Sequence, residues 1–212
     1  MVSESTDVEP ARPRGGRLPR RERRAQLLES ALEVFVKHGY HAAAMDEIAD
    51  QAGVSKPVLY QHFPGKRELY LALLESSCDA IIDNCRRALE STHDNKQRVA
   101  AAMEAFYDYV DGASGAFRLV FESDLTSEPQ VRRQVERVTT ECADLIAQVI
   151  GDDTGLPEEP SRLLAVSLVG MAQVSARFWL TETGGLARDQ AVALVSGLAW
   201  RGIAGYPLTD DH

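Results

Sequence analysis

Apolar side chains recur at intervals of three and four along most of this chain, a spacing that predicts helices. The first runs from about Arg20 to Lys37, with Leu27, Leu28, Ala31, Leu32 and Phe35 on one face and Gly39 at its end. A longer one runs from Lys66 toward Leu89 and carries Leu69, Leu73, Ile81 and Ile82. Val99, Met103, Phe106 and Val110 define another, which residues 112–115 interrupt. A short element from Ala116 to Leu125 holds Phe117, Leu119, Val120 and Phe121. Val131, Val135, Val138, Cys142, Leu145 and Val149 then recur with charged residues opposite. Gly151 to Pro160 reads as an acidic loop whose carboxylates lack the alternate-position ligands of a calcium site. No stretch alternates with period two for long enough to make a strand. The expected fold class is all-α.

The last two segments differ from the rest. Leu163 to Leu180 is the most apolar run, with Arg177 its only charge. It reaches the lower length limit for a membrane span, yet Ser167, Gln173, Ser175 and Arg177 lie inside it. A helix apolar all round in a soluble protein is buried on both sides. One side is expected to face its own core and the other a second subunit. Residues 187–206 accompany it and are rich in Ala, Gly and Ser. The expectation is a homodimer joined through 163–182 and 187–206.

Between the first two helices lies IADQAGVSKPVLYQHF, Ile48 to Phe63. Ile48, Ala49 and Ala52 form a small apolar face. Gly53 stands where a helix ends and positive φ is needed. Val54 plugs the corner, Ser55 is placed to cap the next helix, and Pro57 is tolerated in that helix's first turn. Val58, Leu59 and Phe63 then face inward, leaving Lys56, Pro57, Tyr60, Gln61 and His62 outward. This is the arithmetic of a helix-turn-helix, whose second helix enters the major groove of DNA.

A net charge of −9 argues against a nucleic-acid partner until it is divided along the chain. Residues 1–67 carry 11 Lys and Arg against 9 Asp and Glu, whereas the remainder carries 12 against 23. Seven arginines and one glutamate fall between Pro10 and Arg24. Positive charge is therefore gathered beside the helix-turn-helix, where it can meet phosphates. Arg20, Arg21, Arg23 and Arg24 are candidates for the DNA backbone. Residues 1–19 read as a disordered basic arm, either a DNA-contacting segment through Arg12, Arg14 and Arg17 or a solubilising tail. Three cysteines fit no disulfide framework and no metal spacing. With no apolar N-terminal stretch, a reducing cytoplasm is the expected compartment. No Ser/His/Asp constellation, Gly-rich phosphate loop or metal motif points to an enzyme.

The string GYHAAAMDEIADQAGVSKPVLYQHFPGKRELY, from Gly39, resembles the DNA-binding domain of the TetR family of regulators. The likeness is dense at Ile48–Ala49, Ala52–Ser55, Tyr60, His62–Phe63, Lys66 and Leu69. It departs from the family at Ala44, where a threonine usually caps the helix carrying Ile48; Asp46 and Glu47 can partly compensate through the helix dipole. The resemblance implies a DNA-binding head over 20–65 and a ligand-binding, dimerising body over 66–212, joined by the Lys66–Leu89 helix. Lys56, Pro57 and Gln61 are the expected base contacts, with Ser55 at the head of their helix. Tyr60, His62 and Lys66 are expected on phosphates. It also implies a two-fold dimer on a near-palindromic operator.

Bodies of this family enclose a ligand. The candidate lining here is Met103, Phe106, Tyr107, Phe117, Phe121, Leu168, Met171, Val174, Phe178 and Trp179, a set suited to a flexible apolar chain. Arg177 is the polar outlier, either meeting a carboxylate, thioester or phosphate or salt-bridged to a carboxylate such as Glu182. From about Glu22 to Thr209, including FRLVFESDLTSEP and VGMAQVSARFWL, the chain is similar to the branch of the family that governs fatty acid synthesis in actinobacteria. That likeness implies release from DNA by long-chain acyl-CoA and no further cofactor. The competing expectation keeps the fold and makes the protein a repressor of an efflux or catabolic operon sensing another apolar compound.

Overall fold

The computed structural model describes residues 18–112, 115–121, 125, 128–182 and 185–202. The arm before Leu18, half of the interruption at 112–115, much of FESDLTSEP and the end of the 187–206 segment lie outside the described residues. Among the described residues there are nine helices and no strand.

Helix α1 (Arg20–Ala42) bends at Gly39, where φ is 72°, and its last turn closes with the Ala43 N–H donating to the Gly39 carbonyl. Helix α2 (Met45–Gln51) starts at Ala44 with no side-chain cap, while Asp46 and Glu47 occupy its first turn. It ends in a Schellman motif: Gly53 N–H bonds the Asp50 carbonyl and Val54 N–H the Ala49 carbonyl, both at 3.0 Å. Gly53, at φ 63°, is the residue that makes this reversal possible without strain. Helix α3 (Lys56–His62) follows at once. Ser55 holds its N-cap position, but the side-chain hydrogen bond expected there is not made. Leu27, Ala31, Ile48, Ala49, Leu59 and Phe63 are buried together beneath these three helices.

Helix α4 (Lys66–Glu90) joins this head to the rest. Leu69, Tyr70, Leu73 and Leu74 bury its first half, Cys78, Ile81 and Ile82 its second, within one apolar cluster that runs from Leu27 to Val169. Helix α4 therefore shares one packed core with the head and with the body. Against it pack α5 (Asn95–Asp111), α6 (Ala116–Phe121) and α7 (Pro129–Thr154); α8 (Glu158–Glu182) packs on α7 and α5, and α9 (Arg188–Arg201) on α5 and α8. The acidic stretch expected to be a loop over 151–160 is mostly helical. Helix α7 continues to Thr154 and α8 begins at Glu158, leaving three residues between them. Gly155 makes the turn in the left-handed region, at φ 71°. Charged residues solvate a helix end as readily as a loop, so composition misplaced this boundary.

Helix α8 buries a narrow stripe, Ser161, Ala165, Val169 and Ala176, against the other helices. Its opposite side leaves large apolar groups in solvent: Leu163 is 69% exposed, Val174 64% and Phe178 59%. Leu194, Leu198 and Trp200 on α9 are exposed beside it.

Candidate nucleic-acid interface and effector cavity

Helix α3 lies on the surface with Leu59 and Phe63 as its anchors. Lys56, Pro57, Tyr60 and Gln61 are exposed, and Ser55 is exposed at its head. The Lys56 ammonium is paired with the Asp46 carboxylate, a bond that raises its pKa. Partial burial, and then Arg20, Arg24 and Arg23 nearby, hold His62 below the ordinary imidazole range. Arg24 stacks its guanidinium 4.3 Å from the centre of the Phe63 ring, fixing one cation against the end of α3. Arg23 bonds Gln26, which in turn donates to the Ala52 carbonyl in the helix-turn-helix corner. Cationic side chains of α1 thus surround the outer end of α3.

Lys66 is placed differently from the expected phosphate contact. Its ammonium donates to the carbonyls of Tyr40, His41 and Ala43 at 2.8, 3.0 and 2.9 Å. The bend at Gly39 turns these carbonyls toward the head of α4, and the cation satisfies them. With three donors, an ammonium so engaged reaches a phosphate only by surrendering one of those bonds.

A cavity of about 550 Å³ opens between α4, α5, α7 and α8, with Ala199 and Trp200 of α9 at its border. Of the expected lining, Met103, Phe106, Leu168 and Met171 do line it. Tyr107, Phe117, Phe121 and Trp179 instead form a separate apolar cluster beside it. There Phe117 packs 5.0 Å from Phe121 and Tyr107 5.6 Å from Trp179, centre to centre. The Tyr107 hydroxyl donates to Ser175 Oγ and the Trp179 indole to the Leu186 carbonyl, so both polar tips are satisfied within the packed body. Val174, Arg177 and Phe178 do not line this cavity. All three are exposed on the outer side of α8, because helical rotation carries 174, 177 and 178 away from the buried 165–169–176 stripe.

The charged residues lining the cavity are Arg98 and Asp153, where the start of α5 meets the end of α7. Arg98 Nη1 lies 2.7 Å from Asp153 Oδ2 and 2.9 Å from Asn95 Oδ1, while its Nε donates to the Thr92 carbonyl at 2.8 Å. Sequence reading passed over this arginine in favour of Arg177. It also passed over the α4 and α7 walls, Ile81, Cys85, Leu89, Val138, Cys142 and Ile146, whose spacing of four was a legible signal that they share one face.

Residues 27–73 match the family model described as bacterial regulatory proteins, tetR family. The chain belongs to the TetR family and is a DNA-binding transcriptional regulator, not an enzyme. Within that family it is 51% identical to the HTH-type transcriptional activator FasR of Mycolicibacterium smegmatis, over 92% of this chain and 90% of that protein. Its fold is similar to a TetR-like regulator from Rhodococcus sp. RHA1, with 27% identity, a TM-score of 0.68 and coverage of 90% of this chain and 100% of the other. It is also similar in fold to FadR of Bacillus subtilis, solved in complex with stearoyl-CoA, at 18% identity and a TM-score of 0.71, over 84% of this chain and 98% of that one.

Proposed function

We propose that this protein is a homodimeric regulator of fatty acid synthesis genes that leaves its operator when a long-chain acyl-CoA fills the body. The observation that carries the reading is the cavity: about 550 Å³, apolar over most of its wall, and bounded by α4. Its size falls within the range of about 300–1,000 Å³ usual for small-molecule sites. Likeness to a FasR and fold similarity to a FadR that holds stearoyl-CoA support an acyl chain as occupant. Arg98 is the group assigned to the polar end of the ligand, in exchange for its bond to Asp153.

In this reading residues 20–65 are the head, with Lys56, Pro57 and Gln61 toward bases and Tyr60, His62, Arg20 and Arg24 toward phosphates. The body begins at residue 66, and the exposed apolar side of α8 and α9 is covered by a second subunit. That face explains α8, long and apolar enough by composition to cross a membrane, without a bilayer. Two-fold pairing sets the separation of the recognition helices, so the operator is near-palindromic. DNA as partner places the protein in the cytoplasm.

The mechanism follows from α4. Its Ile81, Cys85 and Leu89 touch the cavity, and its first residue, Lys66, grips the bend of α1. A ligand that fits the cavity in only one tilt of α4 stabilises that tilt, and the two heads move with it. Such a shift requires unequal affinity for the two shapes. The test is to titrate acyl-CoA of increasing chain length into a protein–operator complex and follow release by gel shift. Release that sharpens with length supports the proposal. No release at any length overturns it, and release by an unrelated apolar compound favours a sensor of an efflux or catabolic operon.

A further inference from the structure

Two cysteines line the cavity, one on each of two helices that pack together. On α4 the trio Ile81, Cys85 and Leu89 lines the cavity, and on α7 the trio Val138, Cys142 and Ile146, each spaced by four. Such spacing stacks the side chains along one helix face, so each cysteine holds the middle of its stripe where α4 packs on α7. The Arg137 guanidinium of α7 lies 2.6 Å from the Asp79 carboxylate of α4, which sets Cys142 and Cys85, five and six residues further along, at the same level of the packed pair. Cys142 is buried, while Cys85 is only partly so and borders the open volume.

We propose that Cys85 and Cys142 are an oxidisable pair, which a hydroperoxide entering the cavity converts to an intramolecular disulfide pinning α4 to α7. The Cys85 sulfur attacks the terminal oxygen of ROOH, the O–O bond breaks, and the Cys85 proton leaves with RO⁻ as ROH. The Cys142 sulfur then attacks the Cys85 sulfenic sulfur, the S–O bond breaks, and hydroxide departs with the Cys142 proton as water. Two thiols lose two electrons in all, and the hydroperoxide is reduced to ROH and water.

The division of labour has a physical basis. Cys85 borders the open volume and is the thiol an entering hydroperoxide meets, whereas contact with Cys85 and then burial push the Cys142 thiol up, so it stays protonated until Cys85 is oxidised. Cys78, two turns earlier on α4, is fully buried, lies outside the cavity lining and is pushed up to about 12 by burial, so it stays a thiol. The disulfide narrows the cavity at its centre and locks the helix that carries the head. Its effect on DNA release rests on the cavity being the effector site; its formation does not.

The experiment treats the full-length reduced protein with hydrogen peroxide or cumene hydroperoxide, then counts alkylatable thiols and maps peptides. Alkylation is expected to fall from three thiols to one, with a peptide joining Cys85 to Cys142 that dithiothreitol dissolves. Binding of an apolar fluorescent dye to the cavity is expected to fall with it. Peroxide should leave dye binding by C85S and by C142S at each variant's own untreated level, whereas in C78S it should lower dye binding as in the native chain. Three thiols left alkylatable, linkage through Cys78 or between subunits, or undiminished dye binding in the linked protein overturns the proposal. Failure of acyl-CoA to release operator DNA from the reduced protein counts against the effector reading alone, because the linked peptide is read without any effector.

Discussion

The ammonium of Lys66 lies 4.7 Å from the centre of the Tyr40 ring and donates to the carbonyl of that same residue at 2.8 Å. Tyr40 in turn packs edge-on against Tyr70, 5.1 Å away, one turn into α4. A single cation thereby ties the bend of α1 to the first turn of α4 by hydrogen bonds, and the aromatic pair completes the joint. In the proposed mechanism this contact is what passes a tilt of α4 to the head.

Replacing Lys66 by Met should destabilise the folded protein by about 1–3 kcal/mol, the usual cost of removing a charged donor from partly buried acceptors. Urea unfolding followed by circular dichroism measures it. Lys66→Arg should recover only part of the loss, since a planar fork cannot address three converging carbonyls as an ammonium does. An unchanged midpoint for Lys66→Met would show that water satisfies these carbonyls equally well.

Lys66 also marks the boundary of what the sequence discloses. Its position at a helix start was legible, but its carbonyl partners lie 23 to 26 residues away at a bend no periodicity reveals. The helix-turn-helix was legible almost residue by residue, because Gly53, Pro57 and the Leu59–Phe63 spacing are local constraints. The cavity was legible only in part. Periodicity says that Met103 and Tyr107 both leave solvent, but not that one meets open space and the other meets Trp179 and Ser175. Empty volume depends on how facing helices approach, and that is set by packing across the whole body.

Gln61 and Arg24 should behave differently on DNA. Gln61→Ala should relax preference at one base pair of each half-site, at a cost of about 1–3 kcal/mol on the preferred sequence only. Arg24→Gln should weaken all sequences alike and reduce the slope of log affinity against log salt by about 1 for each subunit. Fluorescence anisotropy on operator variants at several salt concentrations separates the two. Equal losses on every sequence for Gln61→Ala would remove it from the base-reading set.

His62 supplies a pH test whose two readouts have opposite signs. Its folded pKa lies below the ordinary value of about 6.5. Between that ordinary value and the lower folded one, the unfolded chain binds more protons, so stability falls as pH falls through this window. A phosphate beside the imidazole favours its charged form, so operator affinity should rise over the same interval. His62→Gln should flatten both slopes. Affinity that fails to rise on acidification would place His62 away from the phosphates.

The outer face of α8 predicts the oligomer. Val174→Glu with Phe178→Glu introduces charge at positions 64% and 59% exposed in one chain, so folding should be little affected. Burying one large apolar side chain contributes about 1.5–3 kcal/mol, and a two-fold interface counts each residue twice. The variant should sediment as a monomer with a native helical spectrum and bind its operator far more weakly. A variant that remains dimeric would move the interface off this face.

Leu168 allows the cavity to be filled without touching the head. It lines the empty space from α8, and Leu168→Trp extends an aromatic ring into it. Filling a void adds van der Waals contacts that its walls now lack, so the thermal midpoint should hold or rise. Operator binding in the absence of ligand should be retained, because one indole ring from α8 occupies part of the cavity and does not reproduce an acyl chain's pressure on Ile81, Cys85 and Leu89 of α4. Acyl-CoA should then lose its effect, requiring at least tenfold more ligand for half-maximal release, equivalent to about 1.4 kcal/mol of lost binding. Unaltered release by the tryptophan variant would mean that the effector acts from elsewhere on the body, and the coupling through Ile81, Cys85 and Leu89 would have to be abandoned.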